Sequence, residues 1–323
     1  MVKKCKGTRS VAIGIEPFNE PQAHLDDFSH ILSWFGETLK DVYLIGIVNP
    51  VDLLWPGDIE DDDWATEVQA RALADLKKRF QIFEPRFNFQ FVILILNGSS
   101  RSKVAKHFLD FVSEKNVDLI IAHSHTKSDL LASFGSFCGQ LVANDKTPLL
   151  ILPKNCVLKR EPLSILFPTD FSGVSRVAFE WLVDWASQFK ASIALYHRVS
   201  RPIDVVMEIA LHPIRSRALM PSDIVTINSH DIDEIRNAWT AWALNEGCIV
   251  NFVRDSDKIS LPGSIVARAQ KEQVDLIALP THSSEVAVLS LGSAVSHVVR
   301  AATVPVMILP NQYRSPGNFL QES

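Results

Sequence analysis

The chain repeats itself. Asp118-Leu119-Ile120-Ile121-Ala122-His123-Ser124-His125 is answered by Asp275-Leu276-Ile277-Ala278-Leu279-Pro280-Thr281-His282, and the match runs on without a gap at a constant offset of 157 residues. Gly135-Ser136 falls on Gly292-Ser293, and Pro148-Leu149-Leu150-Ile151-Leu152-Pro153 on Pro305-Val306-Met307-Ile308-Leu309-Pro310. The halves also open alike, Val11-Ala12-Ile13-Gly14-Ile15-Glu16 paralleling Ile165-Leu166-Phe167-Pro168-Thr169-Asp170 at an offset of 154. Solenoid units run to about 20–50 residues, so a repeat this long is a duplicated domain. The fold must be one that each half can complete. The expected division is a first domain over 1–153, a linker over 154–162, a second domain over 163–310 and a loosely ordered tail over 311–323. The linker is polar and charged and closes on Pro162.

Within each half, short apolar runs alternate with longer amphipathic stretches. The runs are 10–16, 41–48, 89–96, 118–123 and 148–153, then 163–169, 191–199, 248–253, 275–280 and 305–310. They are continuously apolar, as in strands covered on both faces. Between them, Ala65 to Phe83 reads as a helix with Val68, Ala72, Leu73, Leu76 and Phe80 on one side, and Ile232 to Glu246 as another, with Ser229 or Asp231 as its cap. Five strands alternating with four helical segments give an α/β fold: two tandem, open, doubly wound parallel five-stranded sheets. Ligands of such sheets bind beyond the carboxyl ends of the strands, at the switch in strand order.

Composition removes several functions. Thirty-two Lys+Arg against 37 Asp+Glu leave a formal charge of −5, which is not built to neutralise a phosphate backbone, so no nucleic-acid partner is expected. Cys5, Cys138, Cys156 and Cys248 are scattered and form no C-x-x-C pair, which excludes a zinc ribbon and fits a reducing compartment. No apolar run approaches the roughly 18 residues of a membrane span. The expectation is a cytoplasmic protein. His123 and His125 share one face of an extended segment, but no third ligand stands nearby in sequence, and no metal is assigned. Phosphate-loop, dinucleotide and nucleophile-elbow motifs are all missing from the sequence.

The strand ends hold the candidate chemistry. The second half's first strand ends in Pro168-Thr169-Asp170-Phe171-Ser172, where a carboxylate can accept from a base amine or a ribose hydroxyl; Asp170 or Ser172 can equally cap the next helix. After the fourth strand comes Thr281-His282, then Gly292-Ser293 near a helix start, which favours an anion. Ser200 to Asn228 is a long mixed segment placed to cover such a site or meet a partner.

Taken together, Ile165 to Ser172, Ala194-Leu195-Tyr196-His197-Arg198-Val199 and Asp275 to Pro310 resemble the universal stress protein family, closely in the second half and more faintly in the first. The chain resembles a tandem member. The resemblance implies an adenine-nucleotide alpha-hydrolase-like fold with strand order 3-2-1-4-5. It implies ATP or a similar adenine nucleotide as ligand, with Asp170 and Val199 at the base and Thr281, His282, Gly292 and Ser293 towards the phosphates. It also implies pairing of last strands, here 148–153 with 305–310 inside one chain. Dimerisation of the whole chain, as a homodimer, is left open.

The family's phosphate pattern, Gly-x-x-Gly, nine residues, then Gly-Ser or Gly-Thr, is broken in the second half. Pro280 and Ser283 replace the first two glycines, and only eight residues separate Ser283 from Gly292. Proline has no N–H to offer a phosphate. The first half departs further: Glu16 replaces the aspartate, Pro17 follows it, and His123-Ser124-His125-Thr126-Lys127-Ser128 lacks both glycines, although Gly135-Ser136 is kept. Three functions remain open. One is a stress-response or regulatory protein with weak ATP binding in its second domain. Another is a nucleotide-independent binding or scaffold module. The third is a slow ATPase. No catalytic residue is assigned, because no side chain stands out as a general base for water.

Overall fold

A computed structural model describes residues 7–15, 18, 21–48, 62–81, 87–95, 101–124, 138, 141–142, 147–198, 229–255, 260–280 and 291–310. The strands are β1 (Ser10–Ile15), β2 (Asp41–Val48), β3 (Asn88–Ile95), β4 (Leu119–His123) and β5 (Leu149–Leu152), then β6 (Ser164–Pro168), β7 (Ser192–Arg198), β8 (Ile249–Asp255), β9 (Leu276–Pro280) and β10 (Val306–Leu309). The helices are α1 (Gln22–Trp34), α2 (Asp62–Phe80), α3 (Arg101–Glu114), α4 (Gly173–Ser187), α5 (Ser229–Asn245), α6 (Leu261–Lys271) and α7 (Leu291–Ala301). The apolar runs of the sequence thus lie on strands within a residue or two at each end. α2 begins three residues before the expected start, at Asp62. α5 begins at Ser229, so Asp231 sits inside its first turn rather than before it.

The strand order is β3-β2-β1-β4-β5-β10-β9-β6-β7-β8, which is 3-2-1-4-5 in each half read from opposite edges. The two five-stranded sheets expected from the sequence run on as one ten-stranded sheet. Every pairing within a half is parallel, and β5 and β10 meet antiparallel, with Ile151 opposite Val306, Leu150 opposite Met307 and Leu149 opposite Ile308.

Alternation along the strands divides the core into two layers. Val11, Ile13 and Ile15 face one side with Leu25, Phe28 and Ile31 of α1 and with Phe179 and Leu182 of α4; Ala12 faces the other with Phe108 of α3 and Val298 of α7. Both layers run unbroken through the two halves. In α4, Ser175, Ala178, Phe179, Leu182, Val183 and Ala186 are buried, the i, i+3, i+4, i+7 stripe of a helix lying on a sheet. The halves also touch away from the strands. Phe35 packs on Phe189 with ring centroids 6.4 Å apart. Gly7 approaches the end of α4 so closely that an added Cβ would stand 2.9 Å from Gln188 Oε1. The linker is clamped as well: His30 Nε2 and Trp34 Nε1 both donate to the Lys159 carbonyl, at 2.7 and 3.1 Å.

The structure explains the aspartate that opens the repeat. Asp118 Oδ2 accepts from the Arg9 and Ser10 backbone N–H groups at 2.9 and 3.0 Å, and from Ser10 Oγ at 3.1 Å. Its repeat-mate Asp275 Oδ2 accepts from Leu163 and Ser164 N–H, both at 3.0 Å. Each carboxylate closes the amino end of its half's central strand pair. Asp118→Ala and Asp275→Ala should each lower the unfolding free energy by about 1–3 kcal/mol, because two backbone donors lose a charged acceptor; urea unfolding followed by circular dichroism measures this.

Candidate functional site

The carboxyl ends of β6, β7 and β9 lie side by side, because β6 pairs with β7 on one side and with β9 on the other. β6 is followed by a tight turn in which nearly every polar group is committed. Thr169 N–H extends the ladder to the Tyr196 carbonyl at 2.9 Å. Thr169 Oγ1 accepts from Phe171 N–H at 2.9 Å. Asp170 Oδ1 accepts from Ser172 N–H at 3.0 Å and from Ser175 Oγ at 2.7 Å. Ser172 Oγ in turn accepts from Ser175 N–H at 3.2 Å, which makes Ser172, not Asp170, the cap of α4.

Two further observations show how firmly this turn is set. Phe171 has φ +60°, a left-handed conformation that is strained for any side chain but glycine. Its ring compensates by burial, with centroids 5.3 Å from His197 and from Trp239 and 6.1 Å from Phe252. The second observation is that His197 Nδ1 lies 2.9 Å from the Thr169 carbonyl. A carbonyl only accepts, so Nδ1 carries the proton and donates. Asp170 Oδ2 takes no hydrogen bond among the described residues, and Asp170 is half-buried. It is an anchored carboxylate with one acceptor oxygen unbonded among the described residues.

Of the other sequence candidates, Gly292 and Ser293 fall in the first turn of α7, which begins at Leu291. Val199, Thr281 and His282 lie outside the described residues, as do Ser283 and the 200–228 segment. Pro280 is the last residue of β9, buried and paired with Leu309.

On the opposite face of the sheet, Arg268 of α6 joins Asp255 at the end of β8 at 2.7 Å and Glu272 at 3.2 Å, and its guanidinium lies over the Tyr196 ring. The bond to Asp255 raises the Arg268 pKa further, so this charge is permanent. Burial raises the Tyr196 pKa and keeps its phenol protonated.

The first half shows a different filling of the same place. His123, the last residue of β4, is 3% exposed. Its ring stacks on His24 of α1 with centroids 3.8 Å apart and planes 14° apart, and Phe28 meets it edge-on at 4.9 Å. Asp27 Oδ2 stands 3.4 Å from His123 Nε2. Burial raises the Asp27 pKa, the neighbouring His24 pulls it back in part, and Asp26 adds to the rise. Burial pushes the Cys156 thiol up to about 12, with the Asp27 charge adding to it. Burial alone does the same to Cys138, whose Sγ donates to the His123 carbonyl at 3.3 Å. Both thiols stay protonated at neutral pH. His125, Glu16, Pro17 and Gly135-Ser136 lie outside the described residues. Among the described residues no group of three His, Cys, Asp or Glu is placed to hold a metal ion, and no helix is long and apolar enough to cross a membrane.

Sequence reasoning missed His24, Asp27 and His197. His24 and Asp27 stand near the amino end of a helix with no motif around them. His197 carries one visible signal, a polar ring near the end of an otherwise apolar strand.

The sequence model of the Universal stress protein family matches residues 163–310. Among solved structures, the chain is similar along most of its length to a universal stress protein from Archaeoglobus fulgidus DSM 4304, at 15% identity, over 93% of this chain and 96% of that one, with a TM-score of 0.57. It is similar to a candidate universal stress protein from Pseudomonas aeruginosa UCBPP-PA14, at 15% identity, over 95% of both chains, with a TM-score of 0.53. No curated protein matches the sequence. The likeness to these structures is one of fold. The second half of the chain is a domain of the universal stress protein family, and the first half repeats its strand order.

The raised Asp27 pKa has a pH signature. A carboxylic acid whose folded pKa exceeds the unfolded 3.8 favours folding while protonated, and that contribution is lost as pH rises through the folded value. Asp27→Asn should therefore raise the midpoint of thermal unfolding at neutral pH, and the difference from the natural protein should shrink as pH falls towards 3.8; calorimetry across that range checks both.

Proposed function

We propose that the chain is a non-enzymatic regulatory protein whose second domain binds ATP or a close adenine nucleotide weakly, in the cytoplasm, with the first domain as its structural partner. The observation that carries this reading is the Asp170 carboxylate. It is fixed by Ser172 N–H and Ser175 Oγ through Oδ1, and it stands beyond the end of β6, beside β9, in the place where open parallel sheets take their ligands. Oδ2 is the acceptor for a base amine or ribose hydroxyl, and the first turn of α7, with Gly292 and Ser293, supplies N–H groups for an anion. Val199, Thr281 and His282 complete the proposed set.

Affinity is expected to be low, because Pro280 supplies no N–H at the start of the phosphate loop. The same residue favours the second reading, a binding module that uses no nucleotide and acts through a protein partner or another small ligand. In the first domain the ring pair His24–His123 stands where β4 ends, so that half is assigned shape without a site. The tandem arrangement supplies within one chain the antiparallel last-strand contact of β5 with β10, and no second copy is needed to complete it.

Titration calorimetry with ATP should show saturable binding in the high micromolar to millimolar range, and Asp170→Ala should weaken it at least tenfold, the loss of about 1.4 kcal/mol expected for a charge-assisted hydrogen bond. No saturable binding at millimolar nucleotide would leave the scaffold reading. Phosphate release abolished by Gly292→Val would instead make the chain a slow ATPase.

A further inference from the structure

We infer that His197 is a positioning residue for the second domain's ligand site: its Nδ1–H bond to the Thr169 carbonyl sets where the Asp170 carboxylate stands. The inference rests on the proposed nucleotide reading for its functional meaning, but its physical content is independent of any ligand.

The turn from Thr169 to Ser172 must do two things that oppose each other. It must leave β6 along the sheet, and within three residues it must start α4, whose cap is Ser172. The chain achieves this with a left-handed residue at Phe171 (φ +60°), which carries a side chain and is therefore held against a backbone preference of about 1–2 kcal/mol. A strained turn persists only where its surroundings over-determine it. Three contacts do so here. One is the ladder bond from Thr169 N–H to Tyr196 O. Another is the Phe171 ring held among His197, Trp239 and Phe252. The third is the His197 bond, which takes the Thr169 carbonyl at 2.9 Å.

The third differs from the others. Thr169 N–H and C=O are the last ladder groups before the chain turns away, and β6 itself ends at Pro168. His197 has gone one residue past the paired Tyr196 on the neighbouring strand, and its side chain replaces the backbone donor that a continuing strand would have supplied. It also lies against the Phe171 ring. One imidazole therefore fixes the carbonyl before Asp170 and packs on the side chain after it. Asp170 is caught between these two fixed points, and its Oδ1 bonds to Ser172 and Ser175 hold the carboxylate in place. The same ring must be in the Nδ1–H form to donate.

Three measurements on the full chain test this. Asparagine places an amide N–H near the position of an imidazole Nδ1, and leucine offers apolar volume alone. In the ligand-free protein, hydrogen exchange at the Phe171 and Ser172 amides reads the bonds to Thr169 Oγ1 and Asp170 Oδ1 directly. His197→Leu should speed exchange at both at least tenfold, His197→Asn should restore protection to within about threefold, and amides of β1 and β2 should be unaffected in either variant. Imidazole nitrogen shifts should report His197 as the Nδ1–H tautomer. With ATP as the probe, His197→Leu should weaken binding at least tenfold and His197→Asn by less than threefold.

Unchanged protection in His197→Leu overturns the inference. So does a loss that asparagine fails to restore, which would assign the effect to ring packing, and so does an Nε2–H tautomer. If the natural protein binds no ATP, the nucleotide reading falls by itself, while the exchange and tautomer results still decide whether His197 sets the Asp170 turn.

Discussion

The antiparallel contact between β5 and β10 is the joint on which the architecture depends. A half-sheet ending in Leu149–Leu152 would expose a short, wholly apolar edge, and the other half would expose Val306–Leu309 in the same way. Unpaired apolar edges invite association with other chains. Set against each other, they close three residue pairs of ladder and bring both core layers into continuity across the chain. The outermost strands become β3 and β8, which are half-exposed and, in β8, marked by Arg254 and Asp255. Both strands belong to one chain, so the contact is intramolecular and does not depend on concentration.

With the joint in place, the same ten-stranded frame holds two unlike strand-end regions. Both halves keep the aspartate that locks the amino ends of the central strands, Asp118 and Asp275. That lock lies at the amino ends of the strands. At the carboxyl ends the halves part. In the second, a strained turn presents a carboxylate. In the first, His123 points its ring into a stack with His24, ringed by Phe28 and Asp27. A retained fold thus carries two different strand-end regions, because a shared fold does not fix the residues at its strand ends.

In the turn after β6 a carboxylate is anchored by the same groups that start the next helix. Asp170 and Ser172 read from sequence as alternative caps of the next helix, and one bond of the turn, Ser172 Oγ accepting from Ser175 N–H, is the capping bond. Ser172 caps α4, Asp170 bonds to the turn through Oδ1, and the ring of His197 on the next strand takes the Thr169 carbonyl.

The duplication, its register, the strands and the parallel α/β class are legible in the sequence. Those follow from local apolar runs and from repeat offsets, which are properties of neighbouring residues. It also carried Asp170 and Gly292-Ser293, since each sits at a strand end or helix start that periodicity locates. The tertiary structure alone decided which groups meet: one continuous sheet rather than two, Ser172 rather than Asp170 as the cap, His24 on His123 and His197 on the Thr169 carbonyl. His24 and His123 stand 99 positions apart, and His197 and Thr169 are 28 apart. Contacts of that kind have no signature along the chain. They exist because parallel strands joined by helical crossovers bring distant carboxyl ends to one edge of the sheet, and only there do the side chains find their partners.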